Sequence, residues 1–163
     1  MNYSAHYTSP LGTMTMCSDG IRLSGLWFNR QKNTSPFVTD NLKPSEDLPV
    51  FQQTREWLNT YYSGKGPGFT PPLLLLGTPF RKAVWKQLAT IPFGQTLTYG
   101  EVARLVGCSS ARAVGGAVGH NPIALIIPCH RVIGKDGTLT GYAAGTDRKA
   151  FLLNLEGITY QTL

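Results

Sequence analysis

The chain has 163 residues, enough for one domain or one domain with a small attached lobe. Apolar content is ordinary, no run can span a membrane as a helix, and the first ten residues lack the basic-then-apolar pattern of a secretory signal, which favours a cytoplasmic protein. A net charge of +6 and a pI of about 9.4 favour polyanionic partners, nucleic acid first. The three cysteines, Cys17, Cys108 and Cys129, are widely spaced and form neither a disulfide framework nor a zinc-binding pair. His6 and Cys17 are too few for a structural zinc, so no metal is expected.

The first thirty residues read as strands. Asp19-Gly20 is a hairpin turn between residues 13–17 and 21–28, Met14 and Met16 share one strand face, and Ala5-His6-Tyr7 can pair alongside. His6 reads as a strand residue rather than a catalyst. Residues 29–49, polar and with Pro36, Pro44 and Pro49, read as loop. Residues 50–62 carry Val50, Thr54, Trp57, Leu58 and Tyr61 at helical spacing and stop at Ser63-Gly64, a pattern that suits core packing. A Gly- and Pro-rich linker with a short apolar plug, residues 73–76, places a boundary between lobes 1–77 and 78–163.

The second lobe opens with Thr78 as N-cap and Pro79 at the first helical position. Phe80, Val84, Trp85 and Leu88 are expected inside, with Arg81, Lys82 and Lys86 outside. Thr98 and Glu101 form a capping box ahead of a helix over Val102, Ala103, Leu105 and Val106 that stops at Gly107. Ser109 or Ser110 can cap a further helix from residue 111 to about 118. Two short helices joined by a glycine turn read as helix-turn-helix. The second of them, Ala111-Arg112-Ala113-Val114-Gly115-Gly116-Ala117, presents one long side chain among small ones. Its paired glycines cost roughly 1 kcal/mol each against alanine. Either close helix packing or close approach to a narrow groove offsets that cost. A smooth surface with a single arginine suits a minor groove better than major-groove readout.

Asn121-Pro122 follows as a turn in which Asn121 can hold nearby backbone, and His120 reads as a solvent-facing turn residue. An apolar run then leads to Pro128-Cys129-His130-Arg131-Val132. Histidine and arginine are neighbours that stabilise a thiolate, so Cys129 is a candidate nucleophile, although a free cysteine is as often simply buried. Residues 132–133 and 138–139 flank a Gly134-Lys135-Asp136-Gly137 hairpin signal. Residues 141–145 form a small-residue loop suited to closing over a flat ligand. Asp147 is the expected cap of a last helix with Phe151, Leu152 and Leu155 inward. Glu156 ends that helix, where a carboxylate opposes the macrodipole and therefore suggests a specific partner such as His130.

Pro128-Cys129-His130-Arg131-Val132, the arginine helix before it and Asn121-Pro122 together resemble the O6-alkylguanine-DNA alkyltransferases, most closely the bacterial stand-alone form. The likeness is close over residues 78–157 and looser before them. It implies an α+β fold: a small N-terminal lobe with an antiparallel sheet and a helix, and a mostly helical C-terminal lobe holding the helix-turn-helix and the cysteine. It implies a support role for residues 1–77, and DNA binding and alkyl acceptance for residues 78–163. The activity implied is single-turnover transfer of an alkyl group from guanine O6 or thymine O4 to the protein's own cysteine, without a cofactor.

By resemblance, Cys129 is the acceptor, His130 the base acting through a water, and Glu156 its orienting partner. Tyr99 offers a hydroxyl to the flipped base, and Arg112 fills the gap left in the stack. Ala111, Ala113, Gly115 and Ala117 make up the DNA-facing surface. Asn121 braces the turn, the Cys129 and Val132 carbonyls accept from the guanine amino group, and the Tyr142–Ala143 loop covers the base. The implied partner is duplex DNA with alkylated bases, bound in its minor groove by a protein that is monomeric when free, with room for cooperative binding along DNA. Two departures stand out. The zinc ligands of some relatives are missing, and position 143 is alanine where some relatives have serine. The alternative is a non-catalytic lesion-binding helix-turn-helix module, which would have no need of Cys129. A Cys-His hydrolase is a third reading, weakened because neighbours on an extended chain face opposite sides.

Overall fold

Alternation around Met14 and Met16 builds the frame of the N-terminal unit. The structure, a computed structural model, describes residues 2–29, 31, 42–139 and 141–160. These divide between two units: the chain up to Leu76 together with Pro122–Ala124, and Gly77–Asn121 together with the chain from Leu125 onward.

In the first unit, β1 (Asn2–Ser9), β2 (Gly12–Ser18), β3 (Leu23–Phe28) and β4 (Leu42–Pro44) form one sheet in the order β3-β2-β1-β4. The first three pair antiparallel, with Met14 opposite Phe28 and Met16 opposite Leu26, and all four side chains are fully buried. The helix α1 (Pro49–Tyr62) buries Phe51, Leu58 and Tyr61, and the Tyr62 hydroxyl reaches Met14 Sδ at 3.5 Å. Two expectations need correction. The sheet is mixed, because β4 runs parallel to β1, and β4 lies inside the stretch read as loop. Much of that stretch, residues 30 and 32–41, lies outside the described residues.

The outer edge of β3 does not stay open. Leu23 N–H donates to Pro72 O and Leu74 N–H to Leu23 O on one half, while Leu26 N–H donates to Pro122 O and Ala124 N–H to Leu26 O on the other. Unpaired strand edges are costly when buried and hazardous when exposed. Two short extended segments therefore cap this edge, one of them taken from residues 122–124.

In the second unit, α2 (Pro79–Leu88), α3 (Tyr99–Leu105), α4 (Ala111–Gly119) and α5 (Thr146–Leu155) surround a two-stranded parallel pairing of β5 (Leu97–Thr98) with β6 (Val132–Ile133). Local side-chain chemistry sets the helix starts. Thr78 accepts from Arg81 N–H, Thr98 and Glu101 close a capping box, and Ser110 accepts from Ala113 N–H. Gly107 takes φ +71° and turns the chain between α3 and α4, which completes the helix-turn-helix. Trp85 on α2 is buried and donates its indole N–H to Ala117 O on α4 at 2.8 Å, so α2 positions the second helix of the motif. Gly77 makes room for that indole, since a Cβ there would lie 2.7 Å from the ring.

Several sequence expectations differ from what is observed here. Phe80, Leu105 and Phe151 are exposed, so the buried stripes of their helices are narrower than the apolar pattern suggests. The α5 start is Gly145 at φ +98°, a conformation open to glycine, and Asp147 stands in the first turn rather than at the cap. The turn at residues 134–137 forms, with Gly134 N–H donating to Thr138 O, but β6 takes Leu97–Thr98 as its parallel partner. Among the described residues no helix is long and apolar enough to cross a membrane.

Replacing Trp85 with phenylalanine is expected to cost about 1–3 kcal/mol, because it removes a buried donor from the Ala117 carbonyl. Urea denaturation of the two proteins measures this.

Candidate active site around Cys129

Every sequence-predicted site residue lies in the second unit. The approach to Cys129 begins at Asn121, whose side-chain N–H donates to Ile127 O at 2.7 Å, with Cys129 N–H donating to the same oxygen at 2.8 Å. One carbonyl thus holds both the brace and the cysteine. Leu125, buried between them, is the one non-glycine residue with positive φ (+69°) among the described residues. A backbone held this way costs on the order of 1–3 kcal/mol and persists only where surrounding contacts over-determine it.

Cys129–Arg131 is a single 3-10 turn rather than extended chain, which corrects the premise that adjacent side chains here face opposite sides. All three residues of the turn are buried. The Asn121 amide and the Tyr142 hydroxyl lie close enough to the thiol to favour its ionised form, and Lys149 acts on it in the same sense by charge. Burial pushes the Cys129 thiol up, and these neighbours oppose that rise only in part. At rest the site therefore holds a neutral thiol. Tyr142, expected to cover a base, has its hydroxyl at the cysteine, and Ala143 beside it is half-buried in the loop.

Glu156 ties the turn to the rest of the unit. Its Oε2 lies 2.6 Å from His130 Nε2, and its Oε1 accepts from Arg131 Nε at 2.7 Å and from Gly94 N–H at 2.9 Å. Burial alone would raise the Glu156 pKa. The donors from His130, Arg131 and Gly94 more than reverse it and bring the group down to about 2. Burial lowers His130, outweighing the carboxylate beside it. A permanently ionised Glu156 only accepts, so a neutral His130 must carry its proton on Nε2 and present Nδ1 as the basic nitrogen.

Arg131 was expected to favour the thiolate. It is instead committed elsewhere: besides Glu156 it donates to Ile91 O at 2.7 Å and lies 5.8 Å from the Phe93 ring centroid. The cation that acts on the cysteine is Lys149, which the sequence reading missed. It is fully buried, donates to Val132 O at 2.6 Å, and is lowered to about 8 by burial, with the charge of Cys129 opposing. A signal for it exists. Lys149, Leu152, Leu153 and Glu156 recur at helical spacing and are all buried, a stripe hidden by its two charged members.

The remaining residues sit on the helix-turn-helix. Arg112, Ala111 and Ala113 are exposed on α4, Gly115 is half-buried, and Ala117 is buried against Trp85. A Cβ on Gly116 would meet nothing within 4 Å, and one on Gly115 would come no closer than 4.0 Å to the Tyr99 ring. Packing therefore does not require either glycine. Tyr99 opens α3 with its ring toward Gly115. His120 bonds back to Gly116 O at 2.8 Å, and His6 is exposed on β1, so neither joins the site. Val132 O already accepts from Lys149, and Cys129 O from Val132 N–H, each keeping one lone pair. Among the described residues no three His, Cys, Asp or Glu side chains converge on a common point.

The chain matches two family models that together account for nearly its whole length. Residues 79–158 match the DNA binding domain of 6-O-methylguanine DNA methyltransferase, and residues 2–75 its ribonuclease-like domain. The chain belongs to the 6-O-methylguanine-DNA methyltransferase family. A methylated-DNA–protein-cysteine methyltransferase of Haemophilus influenzae is 42% identical, over 97% of this chain and 88% of that protein. The constitutive one of Bacillus subtilis is 37% identical over 99% of each chain. The crystal structure of Mycobacterium tuberculosis OGT in complex with DNA is similar at a TM-score of 0.84, with 43% identity over 94% of this chain and 92% of that one.

Glu156→Gln is expected to lower stability at pH 7 by roughly 3 kcal/mol, because the Glu156 pKa falls from 4.5 in the free group to about 2 here. A depressed carboxylate contributes above its unfolded pKa and loses that contribution as pH falls. The deficit should therefore shrink between pH 4.5 and 2, seen as converging urea midpoints. His130, lowered from 6.5, adds a loss of wild-type stability that begins below pH 6.5.

Proposed function

We propose that this chain repairs duplex DNA by moving an alkyl group from guanine O6, or thymine O4, to Sγ of Cys129 in a single turnover. The observation that carries this reading is the buried Cys129 thiol, ringed by Asn121, Tyr142 and Lys149 on a turn that also bears the His130–Glu156 pair. The target atom is inaccessible in a stacked duplex, so the base is extruded into the site at a cost of a few kcal/mol. Arg112, exposed on α4, is the side chain placed to fill the vacated stack.

The chemistry then balances simply. The thiol proton passes by way of His130 Nδ1, while Sγ attacks the alkyl carbon in line and the carbon–O6 bond breaks. The electron pair moves onto the base, which takes up the proton and leaves as ordinary guanine. Glu156 holds the imidazole in the required tautomer. The buried Lys149 ammonium stabilises the thiolate as it forms, in a dry site where charge interactions are strong. The product is a thioether, which water does not cleave, so no second turnover follows. Residues 78–163 carry DNA binding and alkyl acceptance in this reading, and residues 1–77 support them. The alternative, a non-catalytic lesion-binding module, leaves the shell around Cys129 without a purpose.

Binding is through the minor groove by a protein monomeric when free. The paired glycines of α4 support the minor-groove reading, since they keep the helix face flat where no packing demands it.

Mixing with an oligonucleotide carrying O6-methylguanine should add one methyl group to the intact protein, mapped by peptide mass to Cys129 and absent in Cys129→Ser. Lys149→Met should react about tenfold more slowly near neutral pH, because the thiolate loses the buried cation that favours it. Catalytic turnover without a mass change would sink the proposal.

For the α4 face, Gly116→Ala should raise stability by up to about 1 kcal/mol, since a methyl group there meets open space. Gly116→Leu should keep the helix and weaken duplex binding in a gel-shift titration. A Leu variant that binds DNA as tightly as wild type would remove α4 from the interface.

A further inference from the structure

Next to the arginine helix the second unit has a groove of about 390 Å³, lined by Thr98, Tyr99, Gly100, Glu101, Arg104, Ala111 and Lys135. We propose that it seats a backbone phosphate of the bound DNA, neutralised by Arg104 and Lys135 together. The proposal rests on the DNA-binding reading above and extends it from the arginine helix to a second contact.

Arg104 comes from the last turn of α3 and Lys135 from the turn after β6, so two distant stretches bring positive charge to one concave surface. Both are exposed, and among the described residues neither is within ion-pair distance of a carboxylate. Glu101 is the carboxylate in the lining, and its Oε1 already accepts from Thr98 N–H at 3.0 Å in the capping box. The groove thus carries two uncommitted cations against one committed anion.

Position identifies the ligand. Ala111 lines the groove and is followed directly by Arg112. Tyr99 lines it too, and its ring lies 4.0 Å from where a Cβ on Gly115 would stand. The groove wall is therefore continuous with the flat face of α4. A duplex lying on that face carries a sugar–phosphate backbone past the groove, and phosphate contacts fix register without reading sequence. A volume of about 390 Å³ leaves room for a phosphate with part of its hydration.

The test uses the full chain as Cys129→Ser, so that binding is measured without reaction. Duplex affinity is titrated against salt for this parent, for Arg104→Ala, Lys135→Ala and the double variant, and for Lys65→Ala as an exposed control in the first unit. Removing both groove cations should reduce the slope of log K against log salt by roughly 0.9, the share of one phosphate, with each single variant losing part of that and the control unchanged. With Cys129 restored, the double variant should lose methyl transfer from duplex DNA but change less than twofold with free O6-benzylguanine, which has no phosphate. An unchanged slope in the double variant overturns the groove and leaves the DNA-binding reading standing. So does an equal loss with the free base, or an equal slope change in Lys65→Ala. A parent that binds no duplex overturns both.

Discussion

Glu156 receives three donors from two separate stretches of the second unit, and the reactive turn owes its place to that carboxylate. Gly94 N–H comes from the break after α2, and His130 and Arg131 come from the turn carrying the nucleophile. A buried carboxylate is tolerable only with this degree of satisfaction, and removing one partner would leave a charge stranded. Arg131 extends the tie to Ile91 O. Its conspicuous place beside the cysteine therefore serves architecture, and the chemistry passes to its neighbours.

Around Cys129 the same low dielectric works in the opposite sense. Burial keeps the sulfur protonated and so protects it from adventitious oxidation or alkylation. In the proposed reaction the thiolate is favoured by its neighbours when the substrate is present: the Asn121 amide, the Tyr142 hydroxyl and the Lys149 ammonium. Lys149 is itself held to Val132 O and close to losing its own proton. Burial and reactivity, which compete as explanations for a lone cysteine, are here parts of one arrangement.

In the proposed DNA-binding role, α4 sets function against local stability. Two adjacent glycines weaken a helix, and the space beside Gly116 is empty, so an alanine would fit. A flat exposed surface is what remains to account for them. Trp85 restores some of the lost definition by anchoring Ala117 from the far side. The helix is held from behind and left smooth in front, with Arg112 the long side chain of its exposed first turn.

What the sequence by itself determined was local. Thr78, Thr98 and Ser110 mark helix starts because each capping side chain bonds the backbone three residues on. Gly107 and Asp19-Gly20 mark turns for similarly short-range reasons, and Pro128-Cys129-His130-Arg131-Val132 is legible because its chemistry is contiguous. Tertiary structure decided what depends on distant partners. It paired β6 with Leu97–Thr98, laid β4 parallel to β1, and left Phe80, Leu105 and Phe151 at the surface. It also exchanged the roles of two cations. Arg131, two positions from the cysteine in sequence, was drawn to Glu156, while Lys149, twenty positions away, was buried beside the thiol. Which charge meets which sulfur depends on how α5 packs against the turn, and no spacing along the chain encodes that.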